Sequence, residues 1–199
     1  MGHEATSGDY EWTQDDRHGT FTSYCLTFVE NATVEEVVEA LPVVDHLGIL
    51  NYVNFLERTE SDWDEASAAV GFVQIGDAAV MYEFAGSVGV TPELMEPISR
   101  GRRILAHHYD DETEDGSFVV FDDGARVLDI DPDDPGSETD GPDDPGSETD
   151  GPDDVLAALA ASGVGHPAVF AACERLTGVE IGEDTLPETR LRMVRVQMP

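Results

Sequence analysis

Two adjacent histidines, His107 and His108, precede a tyrosine and two aspartates in the run His-His-Tyr-Asp-Asp at 107–111. Imidazoles and carboxylates are the side chains that most often transfer protons or bind transition metals. Adjacent residues of a strand point to opposite faces, so the two histidines cannot readily share one ion, and no spacing requires the distant His46. The pattern therefore favours a single core or edge histidine at 107 and predicts no metal site.

A carboxylate interrupts an apolar run at Val80-Met81-Tyr82-Glu83-Phe84. A buried carboxylate requires a compensating partner. Arg100, Arg102 and Arg103 form the cationic cluster of the chain, and an ion pair between Glu83 and one of these arginines is the favoured interpretation. The alternative is a ligand-binding pocket near Glu83 and the arginine cluster.

The sequence contains none of the common catalytic or cofactor-binding motifs. It has no Cys-x-x-Cys pair, Gly-x-Ser-x-Gly elbow, P-loop, Gly-x-Gly-x-x-Gly fingerprint or His-Glu-x-x-His pair. A pair of carboxylates suited to acid–base chemistry carries no information in a chain with 43 acidic residues. We therefore predict no catalytic residue and no cofactor.

The charge of the chain is extreme. Forty-three acidic residues face ten basic ones, all arginine, and the formal net charge is −33. Such a field repels nucleic-acid phosphates and anionic membranes and attracts cationic partners. The charge thus argues against direct nucleic-acid binding. Adaptation to high internal salt would explain the acidity without any partner. Attraction of a cationic partner and adaptation to salt both stay open as explanations.

The elements that must position these residues alternate between strands and helices. Thr33 to Glu36 form a capping box before a helix that Pro42 ends, and Thr91-Pro92 opens a second helix that Gly101 ends. No prediction is made for 43–65. The predicted strands are Phe21–Val29, Ala69–Ile75, Ala79–Ala85, Arg102–Tyr109, Ser117–Phe121, Ala125–Ile130 and Arg190–Gln197, and the later helices are Val155–Ala161 and Pro167–Thr177. This order predicts an α+β fold, a mostly antiparallel sheet with helices on one face.

A repeat divides the chain. The segment DPDDPGSETD at 131–140 is followed by GPDDPGSETD at 141–150, and GPDD at 151–154 begins a third copy. Without apolar side chains, 131–154 is predicted to be a disordered acidic linker. The predicted organisation is a flexible N-terminus at 1–19, an α+β domain at 20–130, the linker, and a helical segment at 155–199 that packs on the domain.

Residues 1–19 lack a basic, apolar leader and no stretch is long enough to span a membrane, which predicts a cytoplasmic protein.

Three short motifs stand out within 20–130 and 165–183: Glu83 with Gly86, Ser99-Arg100-Gly101 and Leu176-Thr177-Gly178-Val179. Through these motifs and the stretches around them, the sequence resembles an uncharacterised actinobacterial family, domain of unknown function 6461, over roughly 20–130 and 165–183. The resemblance supports the fold prediction and implies no activity or catalytic residues. The candidate binding residues from the sequence are Glu83, Ser99, Arg100, Arg102, Arg103 and His107.

The leading functional hypothesis is a non-catalytic acidic protein that binds a cationic protein partner, as an immunity or inhibitor protein does. The first alternative is a small enzyme or ligand-binding domain with its pocket near Glu83 and the arginine cluster. The second is a nucleic-acid mimic, whose carboxylates would be spaced like phosphates along one face. The sequence makes no prediction of oligomeric state.

Overall fold

The computed structural model describes residues 4–15, 19–61, 66–133 and 151–199. Eight strands are present in these ranges: β1 (Tyr24–Val29), β2 (Val43–Asn51), β3 (Ser67–Ile75), β4 (Ala78–Phe84), β5 (Arg103–Asp110), β6 (Asp115–Asp122), β7 (Ala125–Ile130) and β8 (Arg190–Gln197). The helices are α1 (Val34–Ala40), α2 (Tyr52–Ser61), α3 (Pro92–Ile98), α4 (Asp153–Ser162), α5 (His166–Thr177) and α6 (Thr185–Glu188), with 3-10 helices at Ser7–Asp15 and Val88–Val90. None of the helices in these ranges has the length and apolar character needed to cross a membrane.

The strands form one antiparallel sheet in the order β2-β8-β3-β4-β1-β5-β6-β7. Three pairs that are adjacent in the chain, β3–β4, β5–β6 and β6–β7, are also adjacent in the sheet. β1 lies between β4 and β5, and the C-terminal β8 lies between β2 and β3. The α+β prediction with a mostly antiparallel sheet is therefore confirmed, and segments near both ends of the chain contribute strands to the interior of the sheet.

Local sequence explains the best-predicted boundaries. The Thr33 hydroxyl accepts the N–H of Glu36, and the Glu36 carboxylate accepts the N–H of Thr33, which is the predicted capping box. The β6–β7 turn has positive φ values at Asp123 (47°) and Gly124 (90°), which aspartate tolerates and glycine adopts freely. These short-range signals depend only on neighbouring residues, and the sequence reveals them directly.

Helices cover both faces of the sheet, so the prediction of helices on one face is wrong. One core contains Tyr24, Leu26 and Phe28 of β1 together with side chains of α2, α4, α5 and α6, and we call this side the α5 face. In the other core, α1 and α3 pack against the strand side chains that point to the opposite side of the sheet, and we call this side the α3 face. The physical reason is that central strands such as β4 are buried at nearly every position, which requires cover on both sides.

The N-terminal 3-10 helix and the two ends of the predicted linker are more integrated in the fold than the sequence indicates. The flexible N-terminus predicted at 1–19 is wrong for the 3-10 helix Ser7–Asp15, because Tyr10 is buried and its ring stacks on Phe170 of α5. The linker predicted at 131–154 lies mostly outside the described residues. Its ends are structured: the Pro132 carbonyl accepts the N–H of Gly165, and α4 begins at Asp153.

Candidate functional site: an acidic aromatic cleft

A cleft of about 500 Å³ opens on the α5 face, where β1 and β5 meet the first turn of α5. Two neighbouring central strands contribute to it, since Tyr24 at the start of β1 pairs with Tyr109 near the end of β5. The lining side chains are aromatic, acidic or hydrogen-bonding: Thr13, Gln14, Phe21, Thr22, Tyr24, Tyr109, Asp111, Asp133 and His166. A volume of this size is typical of sites for small molecules or for inserted side chains.

A hydrogen-bonded chain runs from the buried sheet to the cleft. The Tyr24 hydroxyl lies 3.0 Å from Nδ1 of His107, and Nε2 of His107 lies 2.9 Å from Nδ1 of His166. The two imidazole rings stack with centroids 5.1 Å apart. His166 is the first residue of α5, so the packing of that helix on the sheet brings its ring over His107.

The hydrogen bonds between Tyr24, His107 and His166 have one favoured arrangement of protons. If the Tyr24 hydroxyl donates to His107 Nδ1, then His107 donates from Nε2 to His166, and the His166 proton lies on Nε2. That atom is 3.3 Å from Oδ2 of Asp133, an ion-pair distance without hydrogen-bond alignment. The opposite arrangement would place a lone pair of His166 against the Asp133 carboxylate, which is electrostatically unfavourable. The chain therefore directs an N–H group towards the rim of the cleft.

Burial keeps the hydrogen-bonded side chains of Tyr24, His107 and His166 uncharged. It lowers the pKa of His107 well below its usual value, and the neighbouring His166 and His108 add to the shift. Burial also lowers the pKa of His166, although Asp133 and Asp131 partly oppose the effect. The same desolvation raises the pKa of the Tyr24 phenol well above its normal range. Near neutral pH the floor of the cleft thus carries no charge of its own.

Carboxylates concentrate around Tyr109 at the cleft rim. Burial raises the pKa of the Tyr109 phenol, and Glu114, Asp111, Asp133 and Asp110 raise it further, in that order. The ring of Tyr109 lies 4.2 Å from that of His166. Two hydrogen bonds with Ser23 hold Asp111 in place. The Ser23 hydroxyl donates to the Asp111 carboxylate, and the backbone N–H of Asp111 donates to the Ser23 hydroxyl oxygen at 3.2 Å. The rim is therefore a region of strong negative potential with an aromatic ring at its centre.

Glu83 lies on the other face of the sheet, and its predicted ion pair with an arginine is wrong. Its side chain is fully buried, with the N–H of Val88 donating to Oε2 at 2.8 Å and the N–H of Gly89 donating to Oε1 at 2.9 Å. Burial raises its pKa to about 7, although these two backbone donors and the Cys25 thiol favour the charged form. The short helix Val88–Val90 supplies the compensation that the sequence attributes to arginine.

The rest of the predicted set is dispersed over the α3 end of the sheet. Buried Ser99 joins α3 to the β6–β7 turn by donating to the Glu96 carbonyl and accepting the Gly124 N–H, both at 3.0 Å. Arg103 binds Asp154 of α4 at 2.6 Å. The Arg100 side chain packs against Gly124, and Arg102 is half-buried before β5. Of the candidate binding residues, His107 alone contacts a cleft-lining side chain in these interactions.

The candidate binding residues from the sequence do not include Tyr24, Tyr109, Asp111, Asp133 and His166, although Tyr109 and Asp111 belong to the run at 107–111 that the sequence singles out. The spacing of His107 and Tyr109 already places them on one strand face, which is a usable signal. His166 carries no such signal, because its approach to His107 depends on how α5 packs across the sheet. The part of the chain that the structure describes holds no group of three or more His, Cys, Asp or Glu residues placed to bind a metal ion.

Comparison with known proteins addresses family membership. No curated protein and no solved structure matches the chain. A family model described as a Family of unknown function (DUF6461) matches residues 3–199. That match includes the sheet, both helical layers and every residue of the cleft. The chain therefore belongs to the Family of unknown function (DUF6461).

Proposed function

We propose that this protein is a non-catalytic binding protein that docks a cationic protein partner on the acidic rim of the cleft. The observation that carries the proposal is the combination of Asp111, Asp133 and their acidic neighbours around one cleft in a chain of net charge −33. A concave surface lined by charge of one sign concentrates its field and accelerates the approach of oppositely charged molecules.

The floor of the cleft also supports binding rather than acid–base chemistry. His107 and His166 are hydrogen-bonded to each other, and burial holds both pKa values below the usual range. Neutral imidazoles do not offset the negative potential of the rim. A cationic group of a partner therefore meets carboxylates with no positive side chain among the described lining residues opposing it near neutral pH.

A pocket near Glu83 and the arginine cluster is the weaker alternative. Both carboxylate oxygens of Glu83 accept backbone N–H groups, and Arg103 is engaged with Asp154. These interactions give the residues structural roles. We therefore centre the binding function on the cleft.

The proposal is tested with lysozyme, a small basic protein, as a probe of cationic docking. Two double variants remove the same charge: Asp111→Asn with Asp133→Asn at the cleft, and Glu39→Gln with Asp45→Asn at exposed positions of α1 and β2. Association is measured by surface-immobilised kinetics at low ionic strength. We expect the cleft pair to lower the affinity about tenfold and the control pair less than about twofold. Equal losses from both pairs would show a diffuse attraction and contradict docking at the cleft.

A further inference from the structure

We propose that the cleft receives an arginine side chain of the partner, with its guanidinium group against the Tyr109 ring and between the carboxylates of Asp111 and Asp133. This inference rests on the proposed docking function and names the chemical group that the cleft recognises. It follows from three features of the site: its aromatic lining, the position of its carboxylates and the charge state of its floor.

The aromatic lining suits a flat cation. Phe21, Tyr24 and Tyr109 all line the cleft, and the ring centroids of Phe21 and Tyr24 are 5.1 Å apart while those of Tyr24 and Tyr109 are 6.3 Å apart. A guanidinium group stacks on such rings through its planar face and is more weakly hydrated than an ammonium group. Its three methylene groups also bury well against aromatic carbon.

The two carboxylates come from different parts of the fold. Asp111 follows β5 and has Oδ1 occupied by Ser23, which leaves Oδ2 to accept another donor. Asp133 follows β7, and its side chain is 62% exposed beside His166. The five N–H donors of guanidinium point in fixed directions and can serve two carboxylates at once, whereas an ammonium group acts as a compact point charge. Two acceptors beside an aromatic ring thus favour arginine over lysine.

The cleft contains no competing cation among its described lining residues. None of its lining side chains is an arginine, and its one imidazole, His166, has a lowered pKa. The His166 N–H group lies beside Asp133 without satisfying it by a well-aligned hydrogen bond. An incoming guanidinium would donate to Asp133 and to Oδ2 of Asp111, the oxygen that Ser23 does not occupy.

The experiment uses peptides of seven residues in which one central arginine, lysine or citrulline is flanked by glycine and serine. Binding to the full chain is followed by NMR titration near pH 7.5 at low ionic strength. We expect the arginine peptide to bind about threefold more tightly than the lysine peptide and at least about tenfold more tightly than the citrulline peptide. The lysine peptide is the charge-matched control, so its difference from arginine measures recognition of the guanidinium plane.

Two single variants locate the contact. Tyr109→Leu keeps an apolar side chain and should abolish the preference for arginine over lysine, while Asp133→Asn should weaken both peptides severalfold. Asp45→Asn on β2 is the matched control for charge and should change neither affinity by more than about 1.5-fold. Thermal melts confirm that each variant is folded.

The outcomes separate this inference from the docking proposal. Equal binding of the arginine and lysine peptides, with Tyr109→Leu without effect, would overturn the arginine site. If lysozyme binding still depended on Asp111 and Asp133, docking at the rim would stand. If neither carboxylate affected peptides or lysozyme, both proposals would fail.

Discussion

At the scale of single residues, Glu83 shows how a buried carboxylate is accommodated without a cation. Its two oxygens bind successive backbone N–H groups of Val88 and Gly89, so one side chain fixes the loop that follows β4. This arrangement also explains the pairing of Glu83 with Gly86 in the sequence. A Cβ atom at Gly86 would clash with Oε2 of Glu83 and lie 2.9 Å from its Cβ, so any larger residue requires the Glu83 side chain to shift.

The close approach at Gly86 leads to a stability prediction. We expect Gly86→Ala to destabilise the fold by roughly 2–3 kcal/mol, because a methyl group at that distance must displace the buried Glu83 carboxylate from its donors. Gly8→Ala is the control, since its Cβ would meet nothing closer than 3.6 Å. Urea unfolding of both variants measures the difference. Equal stability of the two variants would show that Glu83 can shift without cost.

Glu83 also makes a definite contribution to the pH dependence of stability. Its pKa is raised from 4.5 to about 7 in the fold, so between these values the folded protein binds more protons than the unfolded chain. The contribution therefore favours folding at low pH and is lost as pH rises through 7. Its full size is of the order of 3 kcal/mol. His107 and His166 act in the opposite sense, since their lowered pKa values reduce stability as pH falls below about 6.5.

The two effects are separated by comparing variants. Relative to wild type, Glu83→Gln should become progressively more stable as the pH is raised from 5 to 8, because the amide cannot ionise. Glu39→Gln, at an exposed position, is the control for replacing a carboxylate by an amide. Urea unfolding at four pH values gives both differences. A Glu83→Gln difference that does not change with pH would mean that this carboxyl group keeps one protonation state throughout.

At the scale of elements, the sequence predicts what depends on neighbours and misses what depends on distant packing. The predicted capping box before α1 is confirmed, and the short β3–β4 and β6–β7 turns also depend only on local chemistry. β2 and α2, within 43–65, have mixed patterns: β2 is exposed at most positions, which leaves no strong alternation to read. The place of β8 between β2 and β3 arises from pairing across more than a hundred residues.

The same distinction applies to the cleft. His107 and Tyr109 share a strand face, but Asp111, Asp133 and His166 join them only because a turn, the end of β7 and the start of α5 converge. The sequence favoured Glu83 and the arginines because a charge in an apolar run is visible locally. Backbone N–H groups leave no trace in residue types, so the true partner of Glu83 could not be recognised.

The repeat allows a test of where the fold ends. On composition, 134–150 has no apolar side chain, and we expect its replacement by eight Gly/Ser residues to leave the melting temperature nearly unchanged. A larger replacement of 131–154 should lower it by several degrees, because it removes the Pro132–Gly165 hydrogen bond and the Arg103–Asp154 ion pair. Differential scanning calorimetry compares the two. Loss of cooperative unfolding in the shorter replacement would show that the repeat is part of the folded structure.

At the scale of the whole molecule, two apolar cores must stabilise a chain that carries a large excess of negative charge. The α5 and α3 faces bury aromatic and aliphatic side chains on both sides of one eight-stranded sheet. Exposed carboxylates repel one another at low salt and are screened when the Debye length falls from about 30 Å at 0.01 M to about 3 Å at 1 M salt. Burial and repulsion therefore oppose each other, and salt shifts the balance.

The response to salt separates a binding function from general adaptation to a saline interior. If the acidity serves a partner, the free protein should unfold cooperatively even at about 0.02 M salt, since the two cores supply the stability, and its melting temperature should rise only gradually with screening. The association rate with lysozyme should fall steeply over the same series, and more steeply for wild type than for the Asp111→Asn, Asp133→Asn double variant. Calorimetry and surface kinetics at matched salt concentrations measure both quantities. The opposite outcome is a chain that folds only near molar salt and whose association rate is equally sensitive to salt in wild type and double variant. That outcome would assign the charge to adaptation. A field that serves one docking surface must act on a folded protein, and it must weaken when the carboxylates of that surface are removed.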